Sequence, residues 1–373
     1  MKQIDLENLP DLAVGATFLG TGGGGDPYIG RLMAEAAIAR FGPVRLMDVD
    51  DVPDDGLVVP AAMMGAPTIM VEKIPNGREM QIAVSSLQQL LQKPVVSLMT
   101  IEAGGINSMI PLAVAAEMGL PVIDGDSMGR AFPELQMTSL HLAGIRATPM
   151  VLVDEKGNTV MIDAIDNLWT ERLARTTTVA VGGASIIALY PMAGRDAKRA
   201  MVRGTITKAL GLGRLLRADH LAVADKERRL QAEHGAHKLF NGKVVDVERR
   251  SGDGFVRGTV SCIGLGDDQE HVLRIEFQNE NLIAMRDGQV VATVPDLISV
   301  LDQETLMPIT TEGLCYGQRV TVYAMPCDPV WRSVEGLNTV GPGYFGYDLT
   351  YVPLDGTGSH ESRRTTHEVS NGD

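Results

Sequence analysis

The chain is short of aromatic residues, of cysteine and of positive charge, and each shortage removes a class of protein. Aromatic residues make up 4% of 373, against 45% apolar residues and 41 glycines; that balance suits an α/β protein with many tight turns. The three cysteines, Cys262, Cys315 and Cys327, are an odd count, far apart and without C-x-x-C spacing. They give no disulfide framework or zinc-finger signal and fit a reducing cytoplasm. Lysine and arginine number 33 against 47 aspartates and glutamates, a formal net charge of −14. Nucleic acid and anionic membrane both need a basic face, so neither is expected as a partner. No apolar run approaches the ~18 residues of a membrane span, and the N-terminus lacks the charged-then-apolar pattern of a secretory signal. A cytoplasmic protein is expected, long enough for two domains with their own cores.

What is abundant is glycine, and its densest stretch is GTGGGGDPYIG at 20–30. An apolar run, Leu12 to Leu19, precedes it and a helical pattern, Arg31 to Arg40, follows. Strand or helix, glycine loop, helix is a way to present bare backbone N–H groups at a positive helix end. Gly20 and Gly22 to Gly25 leave so little bulk that another group can approach the backbone. The loop matches a dinucleotide fingerprint only in degenerate form, and no Walker lysine with Ser/Thr follows. Asp26 would repel a phosphate. A small polar or anionic substrate at Gly22, Gly23, Gly24, Gly25 and Asp26 is expected ahead of a nucleotide, with a purely structural turn as the bland alternative.

Downstream, strand-like runs (Val44 to Val49, Leu57 to Met64, Pro94 to Thr100, Leu120 to Ile123) alternate with helical patterns (Ala83 to Leu91, Ile110 to Met118). This pitch predicts a parallel sheet with helices on its faces, and ligands beyond the carboxyl ends of its strands. Three such ends are polar or glycine-rich: Gly20 to Asp26, Thr100 to Asn107, and Asp124 to Arg130. Met150 to Asp154 and Thr159 to Ile162 predict a hairpin. Thr176 to Val181 reads as a strand, Asp196 to Leu216 as a basic amphipathic helical stretch, and Ala224 to His234 as a solvated helix. From Lys238, short β-rich runs with turns such as Asn241-Gly242 and Asp287-Gly288 predict an antiparallel barrel or sandwich. Expected boundaries are an α/β domain at 1–168 and a second domain at 169–355. The latter holds a helical segment at about 196–234, the β part at about 238–330 and a return segment. A disordered tail is expected at 356–373.

The segment Asp124 to Glu134 packs Asp124, Asp126, Ser127, Arg130 and Glu134 close together. Such carboxylates can bind a divalent metal, hold a substrate amide, or act as acid and base; alternatively an aspartate caps the next helix and Arg130 neutralises it. Its spacing is not that of an EF-hand. Glu102 is a second acid candidate, with Asn107 nearby as a polar contact. His141 lies on an apolar run and reads first as a core histidine. His234 and His237 flank Gly235 among charges and read first as surface residues. Cys315 and Cys327 are thiol candidates, more simply buried small residues, and Asp328 opposes a Cys327 thiolate. No G-x-S-x-G elbow or Ser–His–Asp set is evident.

Taken together, GTGGGGDPYIGR (20–31), IEAGGIN (101–107), DGDSMGRAFPELQM (124–137), PCDPVWRS (326–333) and GPGYFGYDL (341–349) resemble the S-methyl thiohydantoin desulfurase family. This family was formerly one of unknown function found beside hydantoinase and oxoprolinase genes. The resemblance spans roughly residues 5–355. It implies an α/β three-layer N-terminal domain with a mostly parallel sheet, then a domain built on an antiparallel β-barrel. The activity it implies is hydrolysis of an S-methyl thiohydantoin to a hydantoin and methanethiol. That chemistry needs a base for water, and an acid or hydrogen bond at the ring nitrogen. Asp124 or Asp126 is expected as base or metal ligand, with Glu102 or Glu134 as its partner. Gly22 to Gly25 are expected at a ring oxygen or substrate carboxylate, and Arg130 paired with that carboxylate. Ligand spacing does not indicate a metal, and the cofactor stays open. A homo-oligomer acting on a small cyclic substrate is expected; the competing expectation is a non-catalytic partner of a hydantoinase-type enzyme.

Overall fold

In the computed structural model, residues 2–65, 69, 77–252 and 254–354 are described; the expected disordered tail, 356–373, lies outside them. Among the described residues, eleven strands lie in the first half: β1 (Lys2–Ile4), β2 (Val44–Met47), β3 (Leu57–Gly65), β4 (Val95–Thr100), β5 (Val122–Ile123), β6 (Gly125–Asp126), β7 (Met150–Val153), β8 (Thr159–Ile162), β9 (Ala184–Ala188), β10 (Met192–Ala193) and β11 (Val202–Arg203). A nine-stranded sheet runs β1-β2-β5-β4-β3-β9-β7-β8, with β10 alongside β3. Its parallel character is confined to the block β2-β5-β4-β3. The flanking strands β1, β7, β8, β9 and β10 pair antiparallel, so the expected mostly parallel sheet is in fact mixed. Within this block β3–helix–β4–helix–β5 follow in order, each crossover containing one of the expected helices (Glu79–Leu91 and Ile110–Met118). The hairpin β7–β8 forms as expected.

Three segments differ from the sequence reading. The apolar run before the glycine loop is a helix, Leu9–Leu19, so the loop joins two helices and is not a strand end. This helix crosses the Thr205–Leu216 helix closely: a Cβ on Gly15 would fall 1.8 Å from the Ala209 carbonyl oxygen. The β-branched run Thr176 to Val181 closes the helix Asn167–Ala180 instead of forming a strand. Asp166 caps that helix, and the Thr176 and Thr177 hydroxyls each donate to the carbonyl four residues back at 2.8 Å. The Asp166 cap and the burial of one helix face thus override β propensity, and back-bonding only satisfies the threonine hydroxyls. Finally, the stretch Asp196 to Leu216 is interrupted by β11, which pairs antiparallel with β6 and brings Arg203 opposite Gly125.

The second half supplies β12 (His237–Gly252), β13 (Phe255–Gly264), β14 (Val272–Gln278), β15 (Glu280–Arg286), β16 (Gln289–Thr293), β17 (Leu297–Asp302), β18 (Pro308–Ile309) and β19 (Arg319–Met325). They form an eight-stranded antiparallel sheet, β16-β15-β14-β13-β12-β19-β17-β18. Among the described residues it does not close into the expected barrel. The edge strand β18 is two residues long and begins with Pro308, which has no N–H to offer another strand.

The halves share a core. Leu282, Ile283, Val294, Leu297, Tyr323 and Trp331 belong to the same buried cluster as the first sheet, while a second cluster fills the antiparallel sheet. Trp331 is fully buried; its Nε1 donates to the Met128 carbonyl at 2.7 Å and its ring meets Phe132 edge-on at 5.1 Å. The late aromatic motif is thereby fastened onto the 124–137 segment.

Candidate active site

A cleft open to solvent lies beyond the carboxyl ends of β3 and β4. One wall is the end of β3, Ala62 to Gly65. A second is the turn after β4 with Glu102 and Asn107. The third is Met128 with Phe132 to Leu135, and the antiparallel half contributes Asn279, Glu280 and Glu312.

Glu102 sits two residues past β4 and is 5% exposed. The short 3-10 turn Gly105–Ser108 aims Asn107 back at it: Asn107 Nδ2 donates to Glu102 Oε1 at 2.6 Å. Asn107 is itself fixed on β3, its Oδ1 accepting from the Met63 N–H at 2.7 Å. Burial pushes the Glu102 carboxyl up to about 7, against the opposing hydrogen bonds from Asn107 and the Phe132 backbone. Glu280 opens β15 directly after Asn279, whose left-handed φ of 57° makes the tight turn from β14. Glu280 is 3% exposed, and its Oε2 is buried without a hydrogen-bond partner. Its carboxyl is held well above the ordinary range, first by burial and then by the nearby Glu102 charge, with Arg130 opposing. Glu312 is also raised, chiefly by burial, and its Oε2 is likewise unpartnered. Burial thus favours the protonated form of both carboxyls, and the Glu102 charge adds to that effect at Glu280.

The glycine loop is the seam that makes this pairing possible. The Gly22 carbonyl accepts from the Thr311 N–H at 2.7 Å, the Thr21 carbonyl from the Asn281 N–H at 2.8 Å, and the Gly24 carbonyl from the Ile106 N–H at 3.0 Å. A Cβ on Gly23 would lie 2.1 Å from Glu280 Oε1. The bare backbone therefore admits a protein carboxyl. Of the expected glycine contacts, Gly24 lines the cleft, whereas Gly22, Gly23 and Gly25 are buried in the seam and do not line it. Asp26 is exposed, accepts from the Tyr28 N–H at 2.9 Å and faces a separate cleft; its charge still contributes to raising Glu312.

Several other expectations are corrected. Asp124 is drawn away to the start of the Thr205–Leu216 helix, where Oδ1 accepts from the Thr207 N–H at 2.9 Å and Oδ2 from its hydroxyl. It caps a helix and does not line the cleft. Asp126 is fully buried behind the cleft wall, accepting from the Ala103 N–H at 2.5 Å and the Gly129 N–H at 2.9 Å. Burial pushes it up to about 8, and it fixes the loop carrying Glu102 without facing the cleft. Arg130 cannot pair with a substrate carboxylate. Its Nε donates to the Ala131 carbonyl, Nη1 to those of Pro295 and Asp296, and Nη2 to the Thr21 hydroxyl and Asn281 carbonyl. It is fully buried, a joint between the halves. The guanidinium that does line the cleft is that of Arg175, ion-paired with Glu171 at 2.6 Å. Glu134, expected as a partner of the base, lines the cleft half-buried, with Oε2 accepting from the Tyr344 hydroxyl at 2.7 Å.

His141 and Cys327 stand outside the cleft: His141 Nδ1 meets Asn167 Nδ2 at 3.1 Å, and burial, then Asp296, pushes the Cys327 thiol up to about 11. Among the described residues, no group of three or more His, Cys, Asp or Glu is placed to hold a metal ion. No helix there is long and apolar enough to cross a membrane. Sequence reasoning missed Glu280 and Glu312. Each follows polar neighbours (Asn279; Thr310 and Thr311) at a β turn, the one local signal that could have marked them.

The S-Me-THD-like N-terminal domain matches residues 7–164 and the S-Me-THD-like C-terminal domain residues 165–354. A crystal structure of a protein from Chromobacterium violaceum is similar throughout, with a TM-score of 0.79 and 26% identity over 95% of this chain and 100% of that one. No functionally curated protein matches. With both family domains matched end to end, and the motifs that suggested the resemblance lining or bracing one cleft, the chain belongs to the S-Me-THD-like family, that of S-methyl thiohydantoin desulfurase.

Proposed function

We propose that the protein is a hydrolase that converts an S-methyl thiohydantoin and water to the hydantoin and methanethiol. The observation that carries this reading is the pair of buried carboxyls, Glu102 and Glu280, lining one cleft, with burial raising Glu102 to about 7 and holding Glu280 well above the ordinary range. The reaction needs a base and an acid on either side of one carbon, and such a pair supplies both. Glu102, near its midpoint at neutral pH, takes the proton of the attacking water. The water oxygen bonds to the ring carbon between the two nitrogens, and the electron pair of the C=N bond moves to nitrogen. Glu280, held protonated, donates to that nitrogen. Collapse of the tetrahedral adduct restores a carbonyl and breaks the C–S bond: the adduct's hydroxyl proton passes to the Glu280 carboxylate, resetting the acid, and the leaving methanethiolate takes the proton that Glu102 acquired. Asn107 keeps Glu102 in place throughout.

Methanethiol release from an S-methyl thiohydantoin, followed with a thiol reagent, is the direct test. Purified protein should turn over, and Glu102→Gln, which keeps the shape and removes the base, should lose about 100-fold or more. A folded Glu102→Gln protein with undiminished turnover would overturn the assignment of the base. No thiol release from the wild type would favour a different cyclic substrate or a partner-subunit role.

A further inference from the structure

The proposed reaction leaves one carboxyl of the cleft without a role. Glu312 lies in the turn between β18 and β19, lines the cleft, and keeps its Oε2 buried with no hydrogen-bond partner. Its neighbours set its place. The Thr311 N–H donates to the Gly22 carbonyl at 2.7 Å, and the Thr311 hydroxyl to the Asn279 carbonyl at 2.8 Å. The turn is thereby tied to the glycine loop and to the residue just ahead of Glu280. Arg249 Nη2 donates to the Thr311 and Leu314 carbonyls, each at 2.5 Å, and so braces the backbone on either side of Glu312. Burial raises the Glu312 carboxyl; a hydrogen bond from the Thr310 side chain and the Arg249 charge oppose it. A fixed, buried acceptor left unpaired is costly, and a ligand that brings a donor removes the cost.

The chemistry of the cleft says which donor that is. In the proposed reaction, on which this inference rests, Glu102 serves the attacking water and Glu280 the imine nitrogen of the ring. The other ring nitrogen carries an N–H, which needs an acceptor once the ring leaves water. Glu312 stands on the turn next to that of Glu280, and its charge contributes to raising Glu280.

We propose that Glu312 is a substrate-binding residue whose free Oε2 accepts the N–H of the ring nitrogen that Glu280 does not protonate. The cleft accordingly takes cyclic ureides and thioimidates with that N–H free and discriminates against rings alkylated there. The contact exists in ground state and transition state alike, so its loss acts on KM more than on kcat.

The test is calorimetric binding of hydantoin, 1-methylhydantoin and 3-methylhydantoin to the full-length wild type, Glu312→Gln and Glu312→Leu. In the wild type, methylation of one of the two nitrogens should weaken binding about 10-fold or more, because it removes the donor. Leucine fills similar space without an acceptor. Glu312→Leu should bind hydantoin about 10-fold more weakly and reduce that methyl penalty to about twofold or less, since both changes remove one contact. Glutamine keeps an acceptor oxygen and should preserve the discrimination, which controls for folding. In methanethiol release, Glu312→Leu should raise KM about 10-fold with kcat within about threefold. No hydantoin binding by the wild type, an equal methyl penalty in wild type and Glu312→Leu, or a kcat loss at unchanged KM would each overturn the proposal. The expected binding pattern without methanethiol release would instead overturn the proposed reaction and uphold the Glu312 contact.

Discussion

Asn107 holds Glu102 through a 2.6 Å hydrogen bond while gripping both backbone groups of Met63, with its Oδ1 on the N–H at 2.7 Å and its Nδ2 on the carbonyl at 3.3 Å. One amide thus fixes the candidate base to the end of β3. The bond also favours the ionised carboxylate, opposing the burial that raises it.

Asn107→Ala removes that support, so the Glu102 carboxyl should rise further and the acidic limb of the rate profile should move up by roughly one pH unit. Turnover near neutrality should fall about 10-fold or more, partly recoverable at higher pH. A pH–rate profile of methanethiol release, set against the wild type, checks this. A uniform loss with no shift of the limb would mean that Asn107 serves substrate positioning alone.

Stability should depend on pH in the sense opposite to that of activity. Glu102 at about 7 and Asp126 at about 8 lie above their unfolded values near ~4, so the folded chain retains protons that the unfolded chain has released. Their contribution is complete below the unfolded values and is lost as pH rises through 7 and 8. The melting midpoint should fall by several degrees between about pH 5 and about pH 9, and Asp126→Asn should flatten that slope. Differential scanning calorimetry over that range decides it; a midpoint rising with pH would contradict the assignment.

Asp124→Ala should cost stability and spare catalysis. The carboxylate caps the Thr205–Leu216 helix through Thr207, a contact worth about 1 kcal/mol. Denaturant unfolding should show that loss while methanethiol turnover stays within about twofold of the wild type. A large drop in turnover with unchanged stability would return Asp124 to the chemistry.

Gly23→Ala tests the seam. Gly23 is not in the left-handed region, so alanine fits the backbone, but its Cβ would enter the space of the Glu280 carboxyl. Turnover should fall at least about 10-fold, and the same change made in Glu280→Gln should add little, because both act on one group. Independent, multiplying losses would separate the two residues.

Much of the site was legible in local sequence. The alternation of apolar runs and helical patterns located β3 and β4, and a strand end carrying Glu102 and Asn107 is a local fact, because parallel strands present their carboxyl ends to ligands. The hairpin β7–β8 and the late antiparallel strands follow from period-two patterning and turn chemistry in the same way. Tertiary structure decided which carboxyls matter. Asp124 and Asp126 are two residues apart, yet one leaves for the start of a helix and the other is walled in behind Glu102, since the pairing of β6 with β11 fixes their directions. Arg130, expected to pair with a substrate carboxylate, instead has its donors distributed between the two halves of the chain. Glu280 enters the cleft from far along the chain because the side-chain-free backbone of Gly23 leaves room for it. Local sequence determines periodicity, turns and strand ends; burial, and with it the protonation state of a carboxyl, is set by contacts between segments distant in the chain.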